Sequence, residues 1–304
     1  MSPNARIAVI APAGPPLYPG RLERGLAYLR DRGYRVDFDP SEIQPAGYLA
    51  APDAIRLDAL NRRLRDPDLD ALFCVRGGYG TLRLLPDLDY EAARQHPKLL
   101  VGYSDITALQ LALYRKAGWA SVSGHMVGVE LGDTSIESDT QFWDLLAGQS
   151  TPFSLNGPHG ERLTAVQDGT AEGPLLGGNL AMISYLLGTP YLPDLTGAIL
   201  FVEDVGEAPY KVDALLAQLR LSGWLERLGG LVFGVFNGWA PSEDRPSFTY
   251  DEVIAGYAPF VNGPVAKGLT YGHISDKTPM PIGLPGRLVI ENEHVTHWET
   301  SAGF

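Results

Sequence analysis

Ser104 stands where an apolar run gives way to a helix-like one, in LLVGYSDITALQLALY, residues 99–114. A hydroxyl is a weak nucleophile until a neighbouring base takes its proton. On a tight strand-to-helix turn it projects above the sheet, and helix N–H groups aim at whatever it attacks. The spacing is not GxSxG, and a serine at that place can also simply cap a helix. RGGYG, residues 76–80, closes the preceding apolar run, so its loop should reach the same sheet edge. Its glycines permit close backbone approach and offer N–H groups to an oxyanion; the bland alternative is a turn and nothing more. The spacing fits neither a dinucleotide fingerprint nor a phosphate loop.

Six histidines are available as the base. His96, His159, His294 and His297 fall in polar or C-terminal β segments and read as surface residues. The HVTH pair lacks a third ligand at a suitable spacing, so no metal site is expected. His125 and His273 each follow an apolar strand and a glycine, and both stay open as candidates. The orienting carboxylate should be fixed at a strand end. GAILFVEDVGE places Glu203 and Asp204 there; adjacent strand residues face opposite ways, so one of the two can serve. Sequence alone does not say which. Arg76 adjoins the glycine turn, where a guanidinium suits a substrate carboxylate. With Gly77 and Tyr103 it makes up the candidate substrate contacts, although a structural ion pair would also account for an arginine.

These residues need a scaffold of alternating elements. RIAVIAP from Arg6, YRVDFD, ALFCV and LLVGY read as strands. Leu22, Leu26 and Leu29 recur at helical spacing before Gly33, and residues 53–64 and 105–116 read as further helices. This rhythm predicts a doubly wound parallel sheet with ligands at its C-terminal strand ends. Residues 148–173 lapse into a polar, Gly- and Pro-containing stretch. A helix from Asn179, the strand GAILFVED, a helix over residues 210–228, the strand LVFGVFNGW, a helix near Tyr250 and β-rich segments follow. The expected organisation is α/β: a nucleophile domain over residues 1–150, a linker over 151–172, and a β-rich α/β domain over 173–304. The site should lie in the cleft between the two domains.

With 304 residues, 45% of them hydrophobic, the chain can bury a core without staples. Cys74 is the single cysteine and lies in an apolar run, where an inert buried thiol is expected. The net charge of −12, from 24 basic and 36 acidic residues, argues against a nucleic-acid partner. No apolar run is long enough for a membrane span, and a soluble, cytoplasmic protein is expected.

VRGGYG, GYSDITALQ, the GGNLAM segment, LFVEDVGE and YGH run in an order that resembles the bacterial LD-carboxypeptidases. The resemblance implies Ser104 as nucleophile, His273 as base and Glu203 as orienter. It also implies an oxyanion hole from the N–H groups of Asp105 and Gly78. It further implies a small murein tetrapeptide as substrate, no cofactor and a homodimer. The same family includes immunity peptidases acting on a peptidyl-nucleotide antibiotic through an aromatic-bearing insertion. Here the linker is short and holds Phe153 but no tryptophan, which favours the cell-wall branch. A general serine esterase or amidase and a non-catalytic muropeptide-binding module are the other readings.

Overall fold

The computed structural model describes residues 1–2, 4–148, 152–240, 246–301 and 303–304. The first half builds β1 (Arg6–Ile10), α1 (Pro19–Asp31), β2 (Arg35–Asp37), α2 (Asp53–Arg65), β3 (Ala71–Cys74) and α3 (Tyr90–Gln95). Next come β4 (Leu99–Val101), α4 (Ile106–Ala117), β5 (Ser121–Ser123) and α5 (Ile136–Ala147). The inner strands are buried on both faces: every residue of β3 and β5 is buried. Only a sheet covered by helices on both sides tolerates that pattern.

The second half contains β6 (Phe153–Ser154), β7 (Thr164–Gln167), β8 (Gly169–Asn179), α6 (Leu180–Tyr185), β9 (Ile199–Val205) and α7 (Pro209–Leu221). It continues with β10 (Gly230–Asn237), α8 (Tyr250–Tyr257), β11 (Val265–Lys267), β12 (Met280–Ile282), β13 (Pro285–Glu291) and β14 (His294–Thr300). The helix expected over residues 210–228 ends at Leu221, because Gly223 turns left-handed at φ 74°. The polar stretch expected as linker forms β6, β7 and the start of β8; the boundary expected at 150/151 lies outside the described residues.

Two sheets result. One runs β12-β5-β4-β3-β1-β2, with β2 to β5 parallel and β12 antiparallel at the edge. The other runs β6-β14-β13-β8-β9-β10-β11-β7, with β8 to β11 parallel in its middle. The molecule is thus α/β throughout. The chain leaves the second sheet after β11 and enters the first at β12, where Met280 faces Ser123. His273 sits in that crossing. Among the described residues no helix is long and apolar enough to cross a membrane.

Candidate active site

Ser104 occupies the turn between β4 and α4 with φ 67°, a left-handed conformation that costs a non-glycine residue roughly 1–2 kcal/mol. Such strain persists only where the surroundings dictate it, and it is common at functional sites. Here the surroundings are tight. Gly102 N–H donates to Val122 O at 3.1 Å, and Thr107 N–H donates to Ser104 O at 2.9 Å. A Cβ on Gly77 would lie 2.8 Å from Ser104 Cβ and 3.0 Å from its Oγ. Glycine at 77 is therefore a steric requirement of the position of Ser104.

His273 reaches Ser104 from the crossing after β11. Its Nε2 is 3.0 Å from Ser104 Oγ, and its Nδ1 is 2.8 Å from Glu203 Oε2. Glu203, on β9, is fully buried, whereas the imidazole keeps 23% of its surface exposed. Gly272, at φ 141°, lets the backbone pass the carboxylate: a Cβ there would sit 3.1 Å from Glu203 Oε2. Asn237, at the end of β10, donates its amide to His273 O at 3.1 Å. Hydroxyl, imidazole and carboxylate form one continuous chain, the arrangement in which a base can take a serine proton and a carboxylate can fix its tautomer.

The remaining candidates separate cleanly. Asp204 accepts from Asn179 Nδ2, Ala181 N and Val205 N, each at 2.9 Å, so it caps α6. Burial pushes its carboxyl up to about 6. His125 is buried beside Phe142 and bonds Ser138 Oγ at 3.1 Å; desolvation, then Lys277, push it down to about 4. His159 faces Asp276 on the surface at 3.2 Å. Among the described residues no cluster of His, Cys, Asp and Glu could hold a metal ion.

The glycine turn is anchored from behind. Asp105 turns its carboxylate onto Thr81 N–H at 2.9 Å, and Thr81 Oγ1 donates back to Asp105 O at 2.7 Å. This clamp ties the loop after β3 to the Ser104 turn, and burial raises the Asp105 carboxyl. Arg56, also buried, donates to Pro12 O, to Gly80 O at 3.0 Å and to Ala51 O at 3.0 Å. Gly78 takes φ 113°, and Gly14 N–H donates to Gly77 O at 3.0 Å.

These loops enclose a cleft of about 200 Å³ lined by Arg76, Gly77, Gly78, Tyr103, Ser104 and His273, with Leu17, Tyr18, Arg21, Met126, Gly128 and Val129 completing the wall. Arg76 donates to Pro15 O at 3.2 Å and is partly desolvated, which lowers its pKa. Among the described residues no carboxylate lies within ion-pair distance of it. Thr81 and Arg56 carried no recognisable sequence signal, and Asn179 was legible only as a helix start.

Fold and site together define a two-sheet α/β protein with a serine–histidine–carboxylate constellation at the ends of its strands. The chain belongs to the LD-carboxypeptidase family: residues 7–124 match its N-terminal domain and residues 172–288 its C-terminal domain. It is 34% identical over 277 residues to the probable murein peptide carboxypeptidase of Bacillus subtilis, covering 91% of this chain and 86% of the relative. The muramoyltetrapeptide carboxypeptidase of Oxalobacter formigenes superimposes with a TM-score of 0.85 at 32% identity over 99% of both chains. The microcin C7 self immunity protein MccF matches with a TM-score of 0.86 at 22% identity, over 99% of this chain and 97% of its own, a likeness of fold.

Proposed function

We propose that this chain is a serine-type LD-carboxypeptidase that releases the terminal D-alanine from murein tetrapeptides through an acyl-enzyme. The observation that carries the reading is the hydrogen-bonded chain from Ser104 through His273 to the fully buried Glu203. In it, His273 Nε2 takes the Ser104 proton as Oγ attacks the carbonyl before the terminal residue. Glu203 holds the proton on Nδ1 and stabilises the imidazolium. The N–H groups of Asp105 and Gly78 receive the oxyanion, each donor worth roughly 3–4 kcal/mol by analogy with other serine enzymes. His273 then protonates the departing amine, and water repeats the cycle on the ester.

Arg76 gives the reading its exopeptidase character. A half-buried guanidinium without a carboxylate partner among the described residues, beside the proposed oxyanion turn, suits a substrate's terminal carboxylate. The names of the Bacillus and Oxalobacter relatives support murein peptides as the substrate class. Phe153 supports the same branch, since its ring is 7% exposed within the core and not offered to a nucleobase.

The test is mass spectrometry of murein tetra- and pentapeptide incubated with the protein. Loss of a single D-alanine from the tetrapeptide, and little cleavage of the pentapeptide, is the expected result. Comparable kcat/KM for both peptides would reject the assignment.

A further inference from the structure

Directly behind the proposed triad lies a buried ion pair that the mechanism does not use. Lys277 has no exposed side-chain surface; its Nζ donates to Glu130 Oε1 at 2.8 Å and stands 3.6 Å from the centroid of the Tyr103 ring. The Tyr103 hydroxyl donates to the same Glu130 oxygen, and the edge of its ring meets His273 at 5.1 Å and 66°. Met126, on the cleft wall, donates its N–H to the other Glu130 oxygen at 3.3 Å.

Stability is a poor account of this cluster. Burying two charges costs more solvation than their attraction reliably returns, and an apolar replacement of the whole pair is often no less stable. Its placement in the chain offers a better one. Tyr103 immediately precedes Ser104, whereas Lys277 follows His273 by four residues in the crossing between the sheets. Ser104 and His273 are 169 residues apart in sequence, yet their side chains must meet at 3.0 Å. Glu130 holds both Tyr103 and Lys277, so the nucleophile turn and the base loop are fastened to one carboxylate. The ammonium lies on the Tyr103 face while His273 rests against that ring, so the tyrosine is gripped between latch and base.

We propose that Lys277 is a positioning residue, whose latch to Glu130 and Tyr103 sets the contact between Ser104 and His273. The inference rests on the serine reading above. Its pairing with Glu130 and its complete burial make it a support for the base loop and not a proton carrier.

The test replaces both charges at once, in Lys277→Met/Glu130→Gln, so that neither is left buried alone and the glutamine can still accept from Tyr103. Turnover of tetrapeptide, labelling of Ser104 by a serine-directed phosphonate, and thermal unfolding are measured beside wild type. A displaced contact predicts kcat lower by about 10²-fold with KM within roughly threefold, in a protein that still unfolds cooperatively. Phosphonate labelling should slow in parallel. Wild-type kcat in the folded double variant would overturn the latch. Failure of the wild type itself to be labelled or to release D-alanine would instead overturn the serine reading. Should the double variant not fold, Tyr103→Phe frees the ring from Glu130 and keeps the ion pair. A fall of about tenfold in kcat at constant KM then supports the latch, and an unchanged kcat overturns it.

Discussion

Glu203 and Asp204 are consecutive on one strand yet belong to different networks, joined through the side-chain amide of Asn179, which donates to both at 3.3 and 2.9 Å. Glu203 faces His273, and Asp204 faces the first turn of α6. The two neighbours should therefore fail in different ways. Glu203→Gln is expected to lower kcat on the order of 10⁴-fold, as the analogous change does in other triads. Asp204→Asn should cost about 1 kcal/mol of stability through the lost cap, with a much smaller effect on kcat. Steady-state kinetics and melting curves of both variants decide it, and the reverse ranking in kcat would mean the wrong carboxylate had been assigned.

Ser104 offers a test in which activity and stability move apart. Both Ser104→Ala and Ser104→Gly should abolish tetrapeptide turnover by several orders of magnitude. At φ 67°, however, glycine should leave the protein about 1 kcal/mol more stable than alanine does, since only alanine carries a Cβ into the left-handed region. Equal denaturation midpoints for the two variants would show that the turn relaxes when the hydroxyl goes.

Arg76 should govern binding more than chemistry. A charged hydrogen bond lost from a partly desolvated site is worth about 1.5–3 kcal/mol, or roughly 10–100-fold. Arg76→Met is expected to raise KM by that factor and to lose the preference for a free over an amidated C-terminus. If KM and that preference stay as in wild type, Arg76 does not hold the terminal carboxylate.

His125 makes stability depend on pH. Its folded pKa lies near 4 against 6.5 when solvated, so the unfolded chain takes up the proton first as pH falls. The stability it protects is complete above 6.5 and is lost between 6.5 and 4, by about 3 kcal/mol in full. Asp204 works in the opposite sense: its carboxyl, raised from 3.8 to about 6, gains a proton first in the folded state and adds stability over that lower range. The informative quantity is the difference between wild type and His125→Gln in urea at pH 7 and pH 5. A smaller loss on acidification in the variant is expected, and equal losses would refute the assignment.

Much of this was legible because the physics is local. The apolar runs at β1, β3 and β4 specify buried parallel strands, and the breaks after them put Gly77, Gly78 and Ser104 at one sheet edge. Alternation along β9 meant that Glu203 and Asp204 must diverge. The residues themselves left the side open, the family resemblance implied Glu203, and Glu203 is the one that faces His273. β8 escaped because GTAEGPLLGGN is rich in glycine, lacks a period-two pattern and relies on neighbours for its pairing. Lys277 escaped for a different reason: in sequence it is one polar residue in a polar loop, and its burial comes from Glu130, 147 positions away.

The strand β12 has a consequence for the life of the polypeptide. The first sheet is finished by residues 280–282, which are made only after β1 to β11. His273 comes barely earlier, on the segment that this strand ties down. On the ribosome, a growing chain can thus display Ser104 and its glycine turn long before His273, the proposed base, has been made. The serine chemistry proposed above would then require synthesis through β12, and a product truncated before that strand should be inert however well β1 to β5 have folded.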